Sequence, residues 1–263
     1  MRKHFFLILT ALALAACERT AAPSGEALLA DGKPVDPLCF APYLLGAGQE
    51  DDIALTGCGA GYVADNTHYA GIEGYIGTGF TDAADPDARG MRPAFIAYRV
   101  VGPVAGGATA ITLTGSGGGT GVFSTLFTAR QEGDVLKIED FYAGGDRCNG
   151  GLTGAAVADG TLTYDVNITP YDFLMLGGAG EPAGIAAYDD MDACAACCMG
   201  TARYEGREFT GVQVEGHFDA NARPPEQTVQ ICFDTIMAGR EGSFLTATDY
   251  TPLRDMIRKE CAK

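Results

Sequence analysis

A period-two rhythm of apolar and polar residues, punctuated by glycine turns, runs through most of this chain and restricts it to short strands. Leu162, Tyr164, Val166 and Ile168 alternate with Thr163, Asp165 and Asn167, as in a strand with one face buried and one in water. Ile111 and Leu113, Leu136 and Ile138, Val212 and Val214 repeat the pattern in shorter form, and so do Val229, Ile231 and Phe233. Residues 122–128 and 244–248 read as further strands. Residues 95–101 are apolar on both faces, as a strand covered on both sides would be. Glu132-Gly133-Asp134 and Asp159-Gly160 separate neighbouring runs with turn-forming residues. Many short strands joined by glycine-rich turns predict a mostly β, antiparallel sandwich or barrel-like domain with a few short helices.

Three helices are expected within it. Thr169-Pro170-Tyr171-Asp172 has the form of a capping box: Thr caps, Pro sits at the first helical position, and Asp lies three residues after the cap. Gly177-Gly178 would stop that helix. A second helix is expected over 189–199, ending at Gly200. The last starts near Thr251-Pro252, with Leu253, Met256, Ile257 and Cys261 on one face and Arg258 and Lys259 suited to the C-terminal dipole.

The first 17 residues carry a different signal. Arg2 and Lys3 precede an apolar run over 5–16, shorter than the roughly 20 residues a helix needs to cross a bilayer. That is the layout of a signal peptide. It ends in Leu14-Ala15-Ala16-Cys17, which resembles the lipobox of bacterial lipoprotein precursors. The resemblance covers residues 1–17. It implies removal of 1–16 and attachment of acyl chains, palmitate among them, to Cys17, each buried CH₂ adding about 0.8 kcal/mol of membrane affinity. Glu18 follows the cysteine, where inner-membrane lipoproteins often carry Asp, so the outer membrane is the expected location. Residues 17–33 then form the lipidated cysteine and a flexible tether, reaching roughly 20–25 Å as a random coil. Residues 34–263 form a single β-rich ectodomain, with no apolar stretch after residue 17 long enough to span a membrane.

Cysteine use fits an exported chain. Beyond Cys17 there are eight: Cys39, Cys58, Cys148, Cys194, Cys197, Cys198, Cys232 and Cys261. An even number in an oxidising compartment predicts disulfides. Closeness in sequence suggests Cys39–Cys58 and Cys232–Cys261; Cys148 then pairs with one of the three clustered cysteines, and the other two pair together. On the expected helix Cys194, Cys197 and Cys198 stand at i, i+3 and i+4, with their sulfurs on one face. Reduced, such a cluster could bind copper(I) or zinc, or exchange disulfides through Cys194-x-x-Cys197. Structural disulfides are the favoured reading, and no cofactor is expected.

Charge narrows the partners. The chain has 34 Asp plus Glu against 18 Lys plus Arg. Removing 1–16 takes away Arg2 and Lys3 and no acid, which leaves 16 cations and a net charge of −18. Such a surface stays soluble, repels nucleic acid, and would attract a cationic protein.

Few segments suggest chemistry. Residues 144–151 form a polar loop framed by glycine pairs, and Asp146, Arg147 and Asn149 could contact a ligand. A disulfide-pinned turn with a local Asp–Arg pair explains the same residues. Residues 117–121 resemble the glycine-rich phosphate loop of tubulin-type GTPases over five positions only, and a strand follows, so a hairpin connection is the better reading. Asp82, Asp85 and Asp87 lack the EF-hand spacing and read as a solvated loop. Tyr62, Tyr69, Tyr75 and Phe80 are interspersed with glycines, as when aromatics cover glycines in a sheet. G-x-S-x-G, Walker, H-E-x-x-H and G-x-G-x-x-G signatures do not occur, and after residue 17 only His68 and His217 remain. The expected function is a non-enzymatic binding or structural role at the outer membrane. The alternatives are inhibition of a cationic hydrolase such as a lysozyme, or thiol and metal handling by Cys194, Cys197 and Cys198.

Overall fold

The alternating runs pair into antiparallel sheets, in a computed structural model that describes residues 27–45, 52–66, 69–82, 84, 94–176 and 190–261. The chain enters through a small hairpin of β1 (Leu29–Ala30) and β2 (Lys33–Pro34), a 3₁₀ turn at Pro37–Phe40 and a short helix, α1 (Ala41–Leu45). Seven strands follow: β3 (Asp52–Ala54), β4 (Tyr62–Ala64), β5 (Ile76–Asp82), β6 (Ala94–Pro103), β7 (Thr109–Ser116), β8 (Phe123–Glu132) and β9 (Val135–Asp146). They form one sheet in the order β3-β9-β8-β7-β6-β5-β4, a meander with β3 added at the β9 edge. Register shifts at Val100/Gly102, Leu126/Phe127 and Thr128/Ala129 curl it into a half-barrel, because a bulge bends its strand and raises the local twist.

A second sheet runs β10-β11-β12-β13-β14, from β10 (Leu152–Ala158) and β11 (Thr161–Ile168) through β12 (Gly200–Glu205) and β13 (Glu208–Val214) to β14 (Phe244–Thr246). The β10–β11 turn places Asp159 at φ 50° and Gly160 at φ 75°, the left-handed pair a two-residue hairpin requires. Three helices accompany this sheet: α2 (Pro170–Met175), α3 (Thr228–Met237) and α4 (Ala247–Cys261).

Burial explains which strands alternate. The first sheet is covered on both faces. Ile96, Tyr98, Ile111, Leu113 and Phe127 pack on Val35, Leu38 and Phe40 of the entry segment, and the Tyr98 hydroxyl donates to the Val35 carbonyl at 3.1 Å. Ala110, Leu126 and Ala143 on the other face meet Leu162 and Tyr164 of the second sheet. The second sheet has one apolar face, shared between that contact and the helices, where Ala202, Val212 and Val214 meet Phe173, Phe233, Tyr250 and Ile257. Its outer face carries the paired Asp165 and Arg203, 2.9 Å apart, so β11 alternates cleanly. Each fully buried Leu, Ile or Phe in these layers contributes about 1.5–3 kcal/mol relative to exposure.

The structure departs from the sequence expectations in four places. Val229, Ile231 and Phe233 lie in helix α3, not in a strand: Val229, Phe233 and Met237 recur at i, i+4 and i+8 and are buried together, so the period-two match was incidental. Residues 190–198 form turns rather than a helix, since Cys194–Cys197 ties one tight turn and Cys198 is drawn back to Cys148. Helix α4 begins at Ala247, because Thr246 and Asp249 cap it: the Asp249 N–H donates to the Thr246 hydroxyl at 3.2 Å. Met256 is exposed, off the buried face formed by Leu253, Ile257 and Cys261. Finally, the part of the expected tether from Leu28 onward belongs to the body, since Leu28 and Ala30 are buried in the first core.

The capping box at Thr169 is present, with the Asp172 N–H donating to the Thr169 hydroxyl at 3.1 Å and the Thr169 N–H to Asp172 at 3.0 Å. Gly177-Gly178 lies outside the described residues. The last carbonyls of α2 are instead satisfied from α4: Arg254 donates to Leu176 at 2.7 Å, Tyr250 to Phe173 at 2.5 Å, and Arg258 to Leu174. Among the described residues no helix is long and apolar enough to cross a membrane.

Candidate functional site

Four disulfides join Cys39 to Cys58, Cys148 to Cys198, Cys194 to Cys197 and Cys232 to Cys261. Two match the proximity pairs, and the cluster divides as expected, with Cys198 the partner of Cys148. This pairing gathers the candidate residues into one place. Asp146, Arg147, Cys148 and Asn149 form the corner by which the chain leaves β9 and enters β10, and Cys194, Cys197 and Cys198 are pinned against it.

Self-contact explains the glycines of this corner. A Cβ on Gly145 would lie 2.0 Å from the Asn149 carbonyl oxygen, and one on Gly151 would lie 2.3 Å from the Arg147 carbonyl oxygen. Arg147 adopts a left-handed φ of 49°, which lets the chain reverse so tightly. Asp146 and Asn149 exchange backbone hydrogen bonds at 2.9 Å in both directions, and Asn167 Nδ2 donates to the Arg147 carbonyl at 3.1 Å. The Cys148 N–H donates to the Ala195 carbonyl at 3.3 Å, docking the disulfide turn on the corner.

Polar groups here are largely paired with one another. Asp146 accepts from Arg147 at 3.0 and 3.2 Å and from the Val122 N–H at 2.8 Å. Burial acts to raise the Asp146 pKa, but the Arg147 and Val122 hydrogen bonds and the Arg147 charge outweigh it and hold the carboxyl below its ordinary value. Asn149 is exposed at the tip. Beside the corner stand two exposed phenyl rings, Phe123, 41% exposed and paired across the sheet with Asp146, and Phe141, 38% exposed. Sequence reading missed them as surface residues because both lie in strands whose other apolar members are buried or half-buried; only the adjacent glycines Gly121 and Gly144, against which their rings rest, mark them.

Cys194 and Cys198 are exposed, Cys197 is half-buried and Cys148 is buried. As disulfides their sulfurs are not thiolate ligands, so metal binding there would first require reduction. Among the described residues no group of three His, Cys, Asp or Glu side chains is arranged to hold a metal ion.

The remaining candidates are dispersed. Tyr69 lies over Gly77, where a Cβ would overlap its hydroxyl at 2.0 Å, and Tyr62 meets Phe80 edge-on at 5.0 Å, so these aromatics cover glycines and one another. The glycine-rich 117–121 joins β7 to β8 as a hairpin connection. His217 is exposed after β13, 3.7 Å from Glu241. Cys17, His68, Asp85 and Asp87 lie outside the described residues. A separate cavity of about 210 Å³ opens beside the Cys39–Cys58 disulfide, lined by Pro42, Tyr43, Ile53 and Ala60. A denser polar cluster sits under α3: Arg223 bridges Asp234 at 2.7 Å and Asp192 at 2.6 Å, and Gln230 joins both through its amide. No family model, curated protein or solved structure matches the chain.

Proposed function

We propose that this chain is an outer-membrane lipoprotein, anchored through Cys17, that acts by binding a cationic protein of the envelope. The cysteine inventory carries the reading. Eight of the nine cysteines lie in four disulfides, and Cys17 is the one left over, at the end of the lipobox-like Leu14-Ala15-Ala16-Cys17. An odd cysteine in an exported protein calls for a separate use, and acylation at the membrane is one. The disulfide-braced body suits a compartment without a reducing thiol pool. The net charge of −18 after removal of residues 1–16 would steer a cationic partner toward the body; a lysozyme-like hydrolase has that chemistry.

Two measurements test this reading. Cells fed labelled palmitate should place label on the wild-type chain and none on Cys17→Ser; an unlabelled wild type would overturn the anchor. Crosslinking in intact envelopes at low salt should recover a basic partner whose yield falls as salt rises. Recovery of no partner, or a yield indifferent to salt, would overturn the binding role.

A further inference from the structure

Three of the four disulfides join separate parts of the fold. Cys39–Cys58 ties the first 3₁₀ turn to the loop after β3, Cys232–Cys261 ties α3 to the end of α4, and Cys148–Cys198 ties the β9–β10 corner to the segment before β12. Cys194–Cys197 spans a sequence separation of 3, across a turn already closed by the hydrogen bond from the Cys197 N–H to the Cys194 carbonyl at 2.9 Å. So short a loop removes little chain entropy, and this bridge crosslinks no two elements. Its first sulfur belongs to an exposed residue. Besides this bridge, the hydrogen bond from the Cys148 N–H to the Ala195 carbonyl and the Cys148–Cys198 disulfide tie the turn to the corner. Cys197 is also the chain neighbour of Cys198, so a thiolate there stands beside a second disulfide.

We propose that Cys194–Cys197 is a thiol–disulfide exchange site whose substrate is an exposed dithiol of a partner protein, and that Cys197 relays exchange to the Cys148–Cys198 disulfide. One substrate thiolate attacks Cys194 Sγ, the bond to Cys197 breaks, and the electron pair leaves on Cys197 Sγ. The second substrate thiolate attacks its own partner's sulfur in the mixed disulfide and expels Cys194 as thiolate. The substrate departs as a disulfide, oxidised by two electrons, and its two protons pass to Cys194 and Cys197. In the relay, Cys197 thiolate attacks Cys148 Sγ, forms Cys148–Cys197 and releases Cys198 thiolate, with no net change in oxidation. The inference is independent of the lipid anchor and of the cationic partner.

Graded glutathione redox buffers, followed by acid quench, alkylation and peptide mapping of the full protein, test it. Cys194, together with Cys197 or, through the relay, Cys198, should be labelled at a poise where Cys39, Cys58, Cys148, Cys232 and Cys261 are less than about a tenth labelled, with the circular dichroism of the fold unchanged. One equivalent of dithiothreitol should be oxidised with label confined to the same region. In Cys194→Ser, Cys148 should be found bonded to Cys197 in part of the molecules, with Cys198 free, and to Cys198 in the rest, with Cys197 free. Labelling of all eight together as the fold is lost would overturn the exchange site. Exclusive Cys148–Cys198 pairing in Cys194→Ser would overturn the relay.

Discussion

Arg223 offers the sharpest test of how the helical half is held. It precedes Pro224-Pro225, which lead into α3, and its guanidinium closes on two carboxylates, with Nε donating to Asp234 and Nη1 to Asp192. Asp234 is fully buried, and its second oxygen accepts from Gln230 at 2.7 Å. Burial disfavours the Arg223 charge, but hydrogen bonds and attraction from Asp234 and Asp192 outweigh it and raise its pKa above the ordinary value. Arg223→Ala leaves a buried carboxylate with one neutral donor. Removing one partner of a buried pair costs about 3–5 kcal/mol. The guanidinium is itself 25% exposed, so water can partly replace it, and the lower end, about 3 kcal/mol, is expected. Arg223→Lys keeps the charge but cannot span both carboxylates with one ammonium, and should cost about 1–2 kcal/mol. Replacing both groups, as in Arg223→Ala with Asp234→Leu, should recover part of the loss. Urea unfolding at pH 7, followed by far-ultraviolet circular dichroism with disulfides intact, gives each value at constant slope. A loss below about 1 kcal/mol in Arg223→Ala would refute a structural role for the network.

Alkaline titration should show a second tyrosine class. Burial pushes the Tyr98 and Tyr164 phenols up to about 12, so their contribution to stability is present below the ordinary value of about 10 and is lost as pH rises from there through 12. With no Trp in the chain, tyrosinate absorbance reads this directly; ionisation of all tyrosines near pH 10 without unfolding would contradict it. The Asp146 carboxyl is held below its ordinary pKa, so its contribution is present above about pH 4 and lost as pH falls through the lower folded value. Asp146→Asn should therefore be less stable than wild type at neutral pH, by a margin that narrows in acid unfolding curves. Gly145→Ala should cost about 2 kcal/mol or more in urea unfolding, because its Cβ would overlap the Asn149 carbonyl. Gly117→Ala, with nothing within 4 Å, should stay within about 0.5 kcal/mol of wild type.

How much of this was legible in the sequence depended on burial symmetry. The β11 alternation is clean because its sheet has one buried face, and β6, Arg99 apart, carries apolar residues on both faces because both are covered. Where a short run satisfies both periods, as Val229 to Met237 does, the sequence favours neither, and packing on Phe173 and Phe218 decides for the helix. Cys39–Cys58 and Cys232–Cys261 are close enough in sequence to be guessed. The choice of Cys198 for Cys148 is set by where the β9–β10 corner meets the segment before β12, across a separation of 50 residues. The same long-range contact undid the expected helix over 189–199. At the candidate site, the polar residues were visible as a pattern, but their mutual pairing and the exposed Phe123 and Phe141 belong to the three-dimensional arrangement.

The intact mass of the protein tests a disulfide-braced body hung from Cys17 most directly. It would be extracted from outer membranes in detergent and alkylated under denaturing conditions without reductant. The expected species begins at Cys17, carries the mass of attached acyl chains and takes up no alkyl group. An unmodified Cys17, or alkylation at any of Cys39, Cys58, Cys148, Cys232 and Cys261, would contradict it.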